Sequence, residues 1–277
     1  MQHGQFVQKA NTIAIGDEIN LACSGLHQRT LDVLADMYGT DRCYGTEIHG
    51  PITINKNIGI SIEQGARVHK LMRSYSVKRS LEVGFAYGFS TVWMLDALQS
   101  RSNAFHVAID PWEKHTFHGI GLAQVKRLGF GVRFEWIENF SIHALSDLIR
   151  KRAKFDFVFI DGIHRFDDVI VNFYLSDQIL QPGGLVVFDD MWLNSVRTAT
   201  NFILSNRSYE VVPQPCENML VLRKTRHDNR DWDHFNSFEI LGPSKISKPP
   251  PPPLSAISNG IMRIRRVLGK ISRPGGR

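Results

Sequence analysis

At 277 residues, with 43% hydrophobic and 22% charged residues, the chain has the make-up of an ordinary globular protein, large enough for one α/β domain with appendages. Its net charge of +6 lies between Thr225 and Arg277, where ten Lys and Arg meet four Asp and Glu; residues 1–224 balance, so the globular part offers no electrostatic footprint for nucleic acid. No apolar run is long enough to cross a membrane, Met1 to Asn20 lacks the basic and apolar regions of a signal peptide, and Cys23, Cys43 and Cys216 form no CxxC pattern, all of which suggests a reducing, cytoplasmic setting.

Residues 1–45 read as a leader. Leu26, Val33, Leu34 and Met37 fall at helical spacing and predict an amphipathic helix ending near Gly39. Such a helix can pack on the domain, cover the mouth of a site, or mediate self-association into a homo-oligomer, and the spacing does not choose. Thr46 to Pro51 is loop-like, and Asn55 to Gly59 continues it after a short apolar interruption. Ser61 and Gln64 have the spacing of a capping box, opening a helix whose apolar face is Val68, Leu71 and Met72.

A short strand follows, Ser80 to Gly84, then the turn Phe85-Ala86-Tyr87-Gly88-Phe89-Ser90-Thr91 and a helix from Val92 to Leu98. Strand, small-residue turn and helix start make a nucleotide-type corner, where glycine admits a ligand to the backbone and free N–H groups attract negative charge. Gly84-x-Ala86-x-Gly88 after Glu82 departs from the GxGxxG dinucleotide fingerprint, and no GxxxxGK[ST] loop exists. A second strand, Phe105 to Ile109, ends on Asp110-Pro111. An acid there is placed to bind ribose hydroxyls, although a turn Asp before proline is the bland alternative. Beside the glycine corner, the ribose role is favoured. His115 and His118 lie in the polar loop that follows, where they either touch substrate or are simply solvated.

Phe134 to Ile137 is the third strand, followed by Glu138-Asn139-Phe140-Ser141 and a helix through Leu145 and Leu148. Phe155 to Ile160 is a buried strand ending on Asp161. A helical pattern with Val169, Phe173, Ile179 and Leu180 comes next. Pro182-Gly183-Gly184 punctuates, and a second buried run, Leu185 to Phe188, ends on Asp189-Asp190. This is a βαβ unit, so both strands deliver carboxylates to the same carboxyl edge of one sheet, near His164. Strand-end acids can merely cap helices, and His164 can be a helix-start residue bonded to Asp167 or Asp168. Three clustered carboxylates, however, repel one another unless a cation intervenes. A helix from Val196 to Leu204 and two short strands, Tyr209 to Val212 and Met219 to Leu222, pair antiparallel to close the sheet.

Beyond Lys224 the composition changes. Pro249 to Pro253 reads as a stiff linker. Leu254, Ile257, Ile261, Ile264, Leu268 and Ile271, with Arg263, Arg265, Arg266 and Lys270 between them, form a basic amphipathic pattern suited to peripheral membrane or protein contact. A tail with no partner is the alternative. The boundaries expected are therefore 1–45, 46–224 and 225–277.

The order Leu81-Glu82-Val83-Gly84-x-x-x-Gly88-x-Ser90-Thr91, Ile109-Asp110-Pro111, Phe159-Ile160-Asp161-Gly162-x-His164 and Gly183-Gly184-x-x-x-x-Asp189-Asp190 resembles class I S-adenosylmethionine-dependent methyltransferases over residues 46–224. Within them it resembles the metal-dependent small-molecule O-methyltransferases of the catechol and caffeoyl-CoA type and their macrolide-sugar relatives. The resemblance implies a Rossmann-like, doubly wound α/β sheet of seven strands, mostly parallel with a final antiparallel strand, and helices on both faces. It implies S-adenosylmethionine as cofactor, a small-molecule hydroxyl as acceptor, and Mg²⁺. Glu82, Gly84, Phe85, Ala86, Gly88 and Ser90 would surround the methionine end, Asp110 and Pro111 the ribose, and Ser141 the adenine. Asp161 would border the cofactor and, with Asp189 and Asp190, hold the metal. His164 would take the acceptor's proton. The catechol type has Asp-Asn where this chain has Asp189-Asp190, as the sugar-modifying relatives do. A metal-independent transferase acting on nitrogen or oxygen, and a cofactor-binding protein without catalysis, are the competing readings.

Overall fold

A computed structural model describes residues 25–39, 42–47, 50–213, 216 and 218–240. The proline run and the basic pattern after it lie outside them.

The main sheet has seven strands: β3 (Arg79–Val83), β4 (Phe105–Ile109), β5 (Phe134–Ile137), β6 (Phe155–Ile160), β7 (Leu180–Phe188), β8 (Tyr209–Val211) and β9 (Leu220–Lys224). Their spatial order is β5-β4-β3-β6-β7-β9-β8. From β5 to β7 all neighbours are parallel, and β9 enters antiparallel between β7 and β8. The order reverses between β3 and β6, so their carboxyl ends open a crevice, which is where such sheets take ligands.

The helices fill both faces because the inner strands alternate between two apolar layers. Phe157 and Phe159 point into one core, whereas Val158 and Ile160 point into the other. The first core is closed by α1 (Gln28–Gly39), α2 (Ile62–Ser74), α3 (Phe89–Leu98) and α4 (Ile120–Leu128). The second is closed by α5 (Ser141–Arg150), α6 (Phe166–Ile179) and α7 (Asn194–Asn206). Every residue of α3 is buried, as expected for a helix apolar on all sides. Its one acid, Asp96, is satisfied by the His27 N–H at 3.0 Å, the Thr30 hydroxyl at 2.6 Å and His69 Nε2 at 2.9 Å. Burial alone would raise the Asp96 pKa, but these hydrogen bonds outweigh it and hold the carboxyl below its ordinary range. The helix expected in the leader is thus α1, and Asp96 anchors its start to the domain. The Ser61–Gln64 capping box is formed in both directions.

Two local readings differ from the structure. Pro182-Gly183-Gly184 does not separate helix from strand. β7 already starts at Leu180, which pairs with Phe155, and the register shifts before Phe157 pairs with Leu185. Gly184 lets the chain pass, since a Cβ there would crowd Leu180 and the backbone oxygens of Asp156 and Gln181. The N-terminal loop also carries a short antiparallel pair, β1 (Arg42–Tyr44) with β2 (Pro51–Thr53).

Residues just past Lys224 return to the sheet's far side. Asn206 and Asn236 exchange hydrogen bonds at 2.9 and 2.7 Å, and Phe238 stacks edge-on against Phe202. Nearby, buried Asp177 is paired with Arg207 and, at 3.0 Å, with Lys224, and it accepts from the Tyr209 hydroxyl at 2.6 Å. Two buried cations meet at this one carboxylate, and of the two Arg207 also reaches Asp228 at 3.1 Å. Asp177→Ala is expected to cost about 3–5 kcal/mol, the usual penalty for leaving a buried ion uncompensated. Urea denaturation checks this.

Candidate active site

A cavity of about 1130 Å³ opens at the carboxyl ends of β3, β4, β6 and β7. One half is the glycine corner. Gly84 has φ +96°, Ala86 +46° and Gly88 +80°, a left-handed path that lets α3 begin immediately after the turn. Asp110 fixes this corner from β4. Its Oδ2 accepts the Phe85 and Ala86 N–H groups, both at 2.9 Å, and its Oδ1 accepts that of Trp112 at 2.7 Å. Gly84, Phe85, Ala86, Ser90, Asp110, Pro111 and Ser141 all line the cavity. Glu82 and Gly88 do not line it. Glu82 is fully buried beneath the turn, where it accepts from Ser90 at 2.8 Å, from Thr91, and faces His106 Nε2 at 3.0 Å. It therefore holds the start of α3 against β3 and β4.

The other half is acidic. Asp161, His164, Asp189 and Asp190 line the same cavity. Ligand atoms of Asp161, His164 and Asp190 all lie within 4.8 Å of one another. His164 Nε2 stands 3.1 Å from Asp190 Oδ2, and the Trp192 indole N–H donates to Asp190 Oδ1 at 2.8 Å. Of the two partners expected for a helix-start His164, Asp168 is instead paired with Arg165 at 2.7 Å. Asp190 has φ +57°, a strained conformation for a residue with a side chain. Asp189 stands slightly apart: its Oδ1 accepts from Gln64 at 2.6 Å and from Asn218 at 3.2 Å.

Burial, followed by repulsion from Asp189, Asp190 and Glu82, pushes the Asp161 carboxyl well above its ordinary range. Burial and then Asp190 push Asp189 up to about 8, against the opposing hydrogen bonds of the Asp190 N–H and Gln64. Recessed like charges on hard oxygen donors suit a divalent cation, whose positive charge would relieve their repulsion.

The sequence did not point to several lining residues. Tyr38 comes from α1, Ile54 to Ser61 from the N-terminal connection, Asn218 from the β8–β9 hairpin, and Trp112, Trp192 and Leu193 from the loops after β4 and β7. His115 and His118 are not among the lining residues, whereas Phe117 between them is. Within that loop Glu113 is fully buried, its Oε1 accepting the Leu122 N–H at 3.0 Å. Its Oε2 meets no hydrogen-bond partner among the described residues. Burial, with Asp110 and Glu47 adding to it against the Leu122 and Gly121 N–H groups, raises its pKa to about 7. A carboxyl raised on folding keeps a proton the unfolded chain has lost, so stability falls as pH rises from about 4.3 to about 7 and stays lower above. Glu113→Gln is therefore expected to gain roughly 1–3 kcal/mol over the wild type at pH 8 and almost nothing near pH 4. Urea midpoints at the two pH values check it.

Residues 81–191 match the family model described as a methyltransferase domain. A catechol O-methyltransferase of Niastella koreensis is 27% identical over 135 residues, 48% of this chain and 58% of that protein. A flavonoid 3',5'-methyltransferase of Vitis vinifera is 22% identical over 144 residues, 50% of this chain and 58% of that protein. The chain thus spans less than two thirds of these relatives' length. The fold is shared with an O-methyltransferase of Bacillus cereus solved in complex with SAH, at a TM-score of 0.53 and 18% identity, over 62% of this chain and 93% of that one.

Proposed function

We propose that this chain, whose residues 81–191 match the model of a methyltransferase domain, transfers a methyl group from S-adenosylmethionine to a hydroxyl of a small molecule, assisted by a divalent cation such as Mg²⁺. The observation that carries the proposal is the meeting, in one cavity, of the left-handed glycine corner with Asp161, Asp190 and His164. When bound, the cofactor supplies an electrophilic methyl and the cation supplies Lewis acidity that lowers the acceptor's pKa.

The chain's own residues supply binding, orientation and the proton's destination. Gly84 to Ala86 present backbone to the methionine end, while Glu82 and Gly88 act on it from beneath by holding the turn and the start of α3. Asp110 already accepts three N–H groups, two on Oδ2 and one on Oδ1, so Oδ1 retains acceptor capacity for a ribose hydroxyl, beside Pro111. Ser141, at the start of α5 and lining the same cavity, would meet the adenine. Asp161, Asp189 and Asp190 provide the cation's oxygens. His164 Nε2 takes the acceptor's proton, and Asp190 at 3.1 Å stabilises the imidazolium that forms. Tyr38, Ile54, Ile58, Trp192 and Leu193 give the acceptor an apolar wall, fit for a phenolic ring or the apolar face of a sugar or polyketide.

Transfer of a labelled methyl to a panel of vicinal phenols and sugars, with and without EDTA, tests the proposal. Transfer that EDTA abolishes and Mg²⁺ restores is expected; transfer indifferent to EDTA contradicts the cation's part. Among the described residues no helix is long and apolar enough to cross a membrane. For the pattern from Leu254 to Ile271 we propose peripheral contact with a protein or with an anionic membrane. Liposome flotation that is unchanged on removing residues 254–277 contradicts the membrane contact.

A further inference from the structure

The acid at the end of β7 is gripped from outside its own βαβ unit. Asp189 is only 5% exposed, and two amides from distant elements converge on one of its oxygens. Gln64 Nε2 donates to Oδ1 at 2.6 Å from the first turn of α2, and Asn218 Nδ2 donates to the same oxygen at 3.2 Å from the β8–β9 hairpin.

Neither contact is required by the local structure of its donor. The cap of α2 needs the Gln64 N–H, which reaches Ser61 Oγ at 3.1 Å, and the Gln64 Oε1, which accepts the Ser61 N–H at 2.8 Å. Holding Oε1 at Ser61 fixes the orientation of the carboxamide, so its Nε2 is committed to Asp189. Asn218 is anchored separately, its carbonyl accepting the Met191 N–H at 3.0 Å, one residue past the acid pair. Both donors line the cavity.

We propose that Gln64 and Asn218 are positioning residues for the cation site. Two donors on Oδ1 fix the rotation of the Asp189 carboxylate, and thereby where its Oδ2 stands relative to Asp161 and Asp190. They also withdraw negative charge from the most crowded part of the cluster. Because Ser61 directly follows the wall formed by Ile54 to Ile60, the capping box ties the acceptor side of the cavity to the acids. One residue pair thus has two tasks, helix start and site geometry. The inference rests on the cation reading above.

Isothermal titration of Mn²⁺ into the protein without cofactor tests it. The wild type is expected to bind one ion. Gln64→Met keeps the backbone N–H of the cap and a side chain of similar length but removes the donor. It is expected to weaken Mn²⁺ binding about tenfold or more, the usual effect of losing a partner that orients a ligand. Its metal-free melting temperature should fall by no more than a few degrees and its S-adenosylmethionine affinity should hold. Asn218→Ala removes the second donor with no helix cap at stake and is expected to weaken Mn²⁺ binding about threefold or more. Wild-type binding that is unchanged in both variants overturns the positioning role alone. A folded wild type that takes up no Mn²⁺ overturns the cation reading, and this inference with it.

Discussion

Asp161→Asn is expected to make the protein more stable and nearly inactive. The residue sits at the end of β6, with Asp189, Asp190 and Glu82 all raising its pKa once burial has done so. A carboxyl whose pKa is raised on folding penalises the folded state at every pH above its unfolded value, about 3.9. Replacing it by a neutral amide of the same shape removes the penalty, and a gain of roughly 0.5–2 kcal/mol is the ordinary size of such relief. The same charge is what a cation and a developing imidazolium draw on. Turnover should therefore fall at least about 100-fold, or roughly 2.7 kcal/mol in the barrier. Added Mg²⁺ should raise the melting temperature of the wild type and leave that of the variant unmoved. Thermal melts with and without Mg²⁺, beside turnover, check all three signs.

Gly84→Ala is expected to fail in the opposite way, losing fold and ligand together. Gly84 has φ +96°, and a Cβ there would run into the carbonyl oxygen of Asp161 across the crevice, with the Asp161 carbonyl carbon 2.7 Å away. Neither atom can yield cheaply, because Asp161 is itself tied to β3 by its N–H on the Val83 carbonyl at 2.9 Å. Backbone strain and forced separation of β3 from β6 should cost about 2–5 kcal/mol. For a domain of this size that lowers the melting temperature by about 5–15 °C. Cofactor affinity should fall more than tenfold, since the displaced backbone is the floor of the cavity. Differential scanning calorimetry and ligand titration check it.

The two substitutions separate what was legible in the sequence from what was not. Gly84, Asp110, Asp161, Asp189 and Asp190 sit at strand ends, and alternating strands and helices must bring strand ends to one edge. The alternation of strand and helix therefore placed Asp161, Asp189 and Asp190 together, and the family resemblance set Gly84 and Asp110 beside them. The capping box of Ser61 and Gln64 was equally legible, because its partners are three residues apart. The second task of Gln64 was not, since Asp189 is 125 residues away and no local pattern encodes that contact. Asp110 likewise read as a ligand residue, whereas its backbone partners in the glycine turn emerge only when β3 and β4 pair. Pro182-Gly183-Gly184 misled for a physical reason: the sheet's demand for a strand beside β6 overrides turn propensity, with a register shift absorbing the irregularity. The acceptor's wall was the least readable part, because short segments such as Ile54 to Ser61 gain a role only from the tertiary fold.

Titration of S-adenosylmethionine into the folded protein tests the central claim most directly. One molecule should bind per chain, and Gly84→Ala should lose that binding while Asp161→Asn keeps it within about tenfold, a difference of 1.4 kcal/mol. A folded wild type that gives no binding at ligand concentrations up to about 1 mM, which corresponds to about −4.1 kcal/mol, would contradict the account.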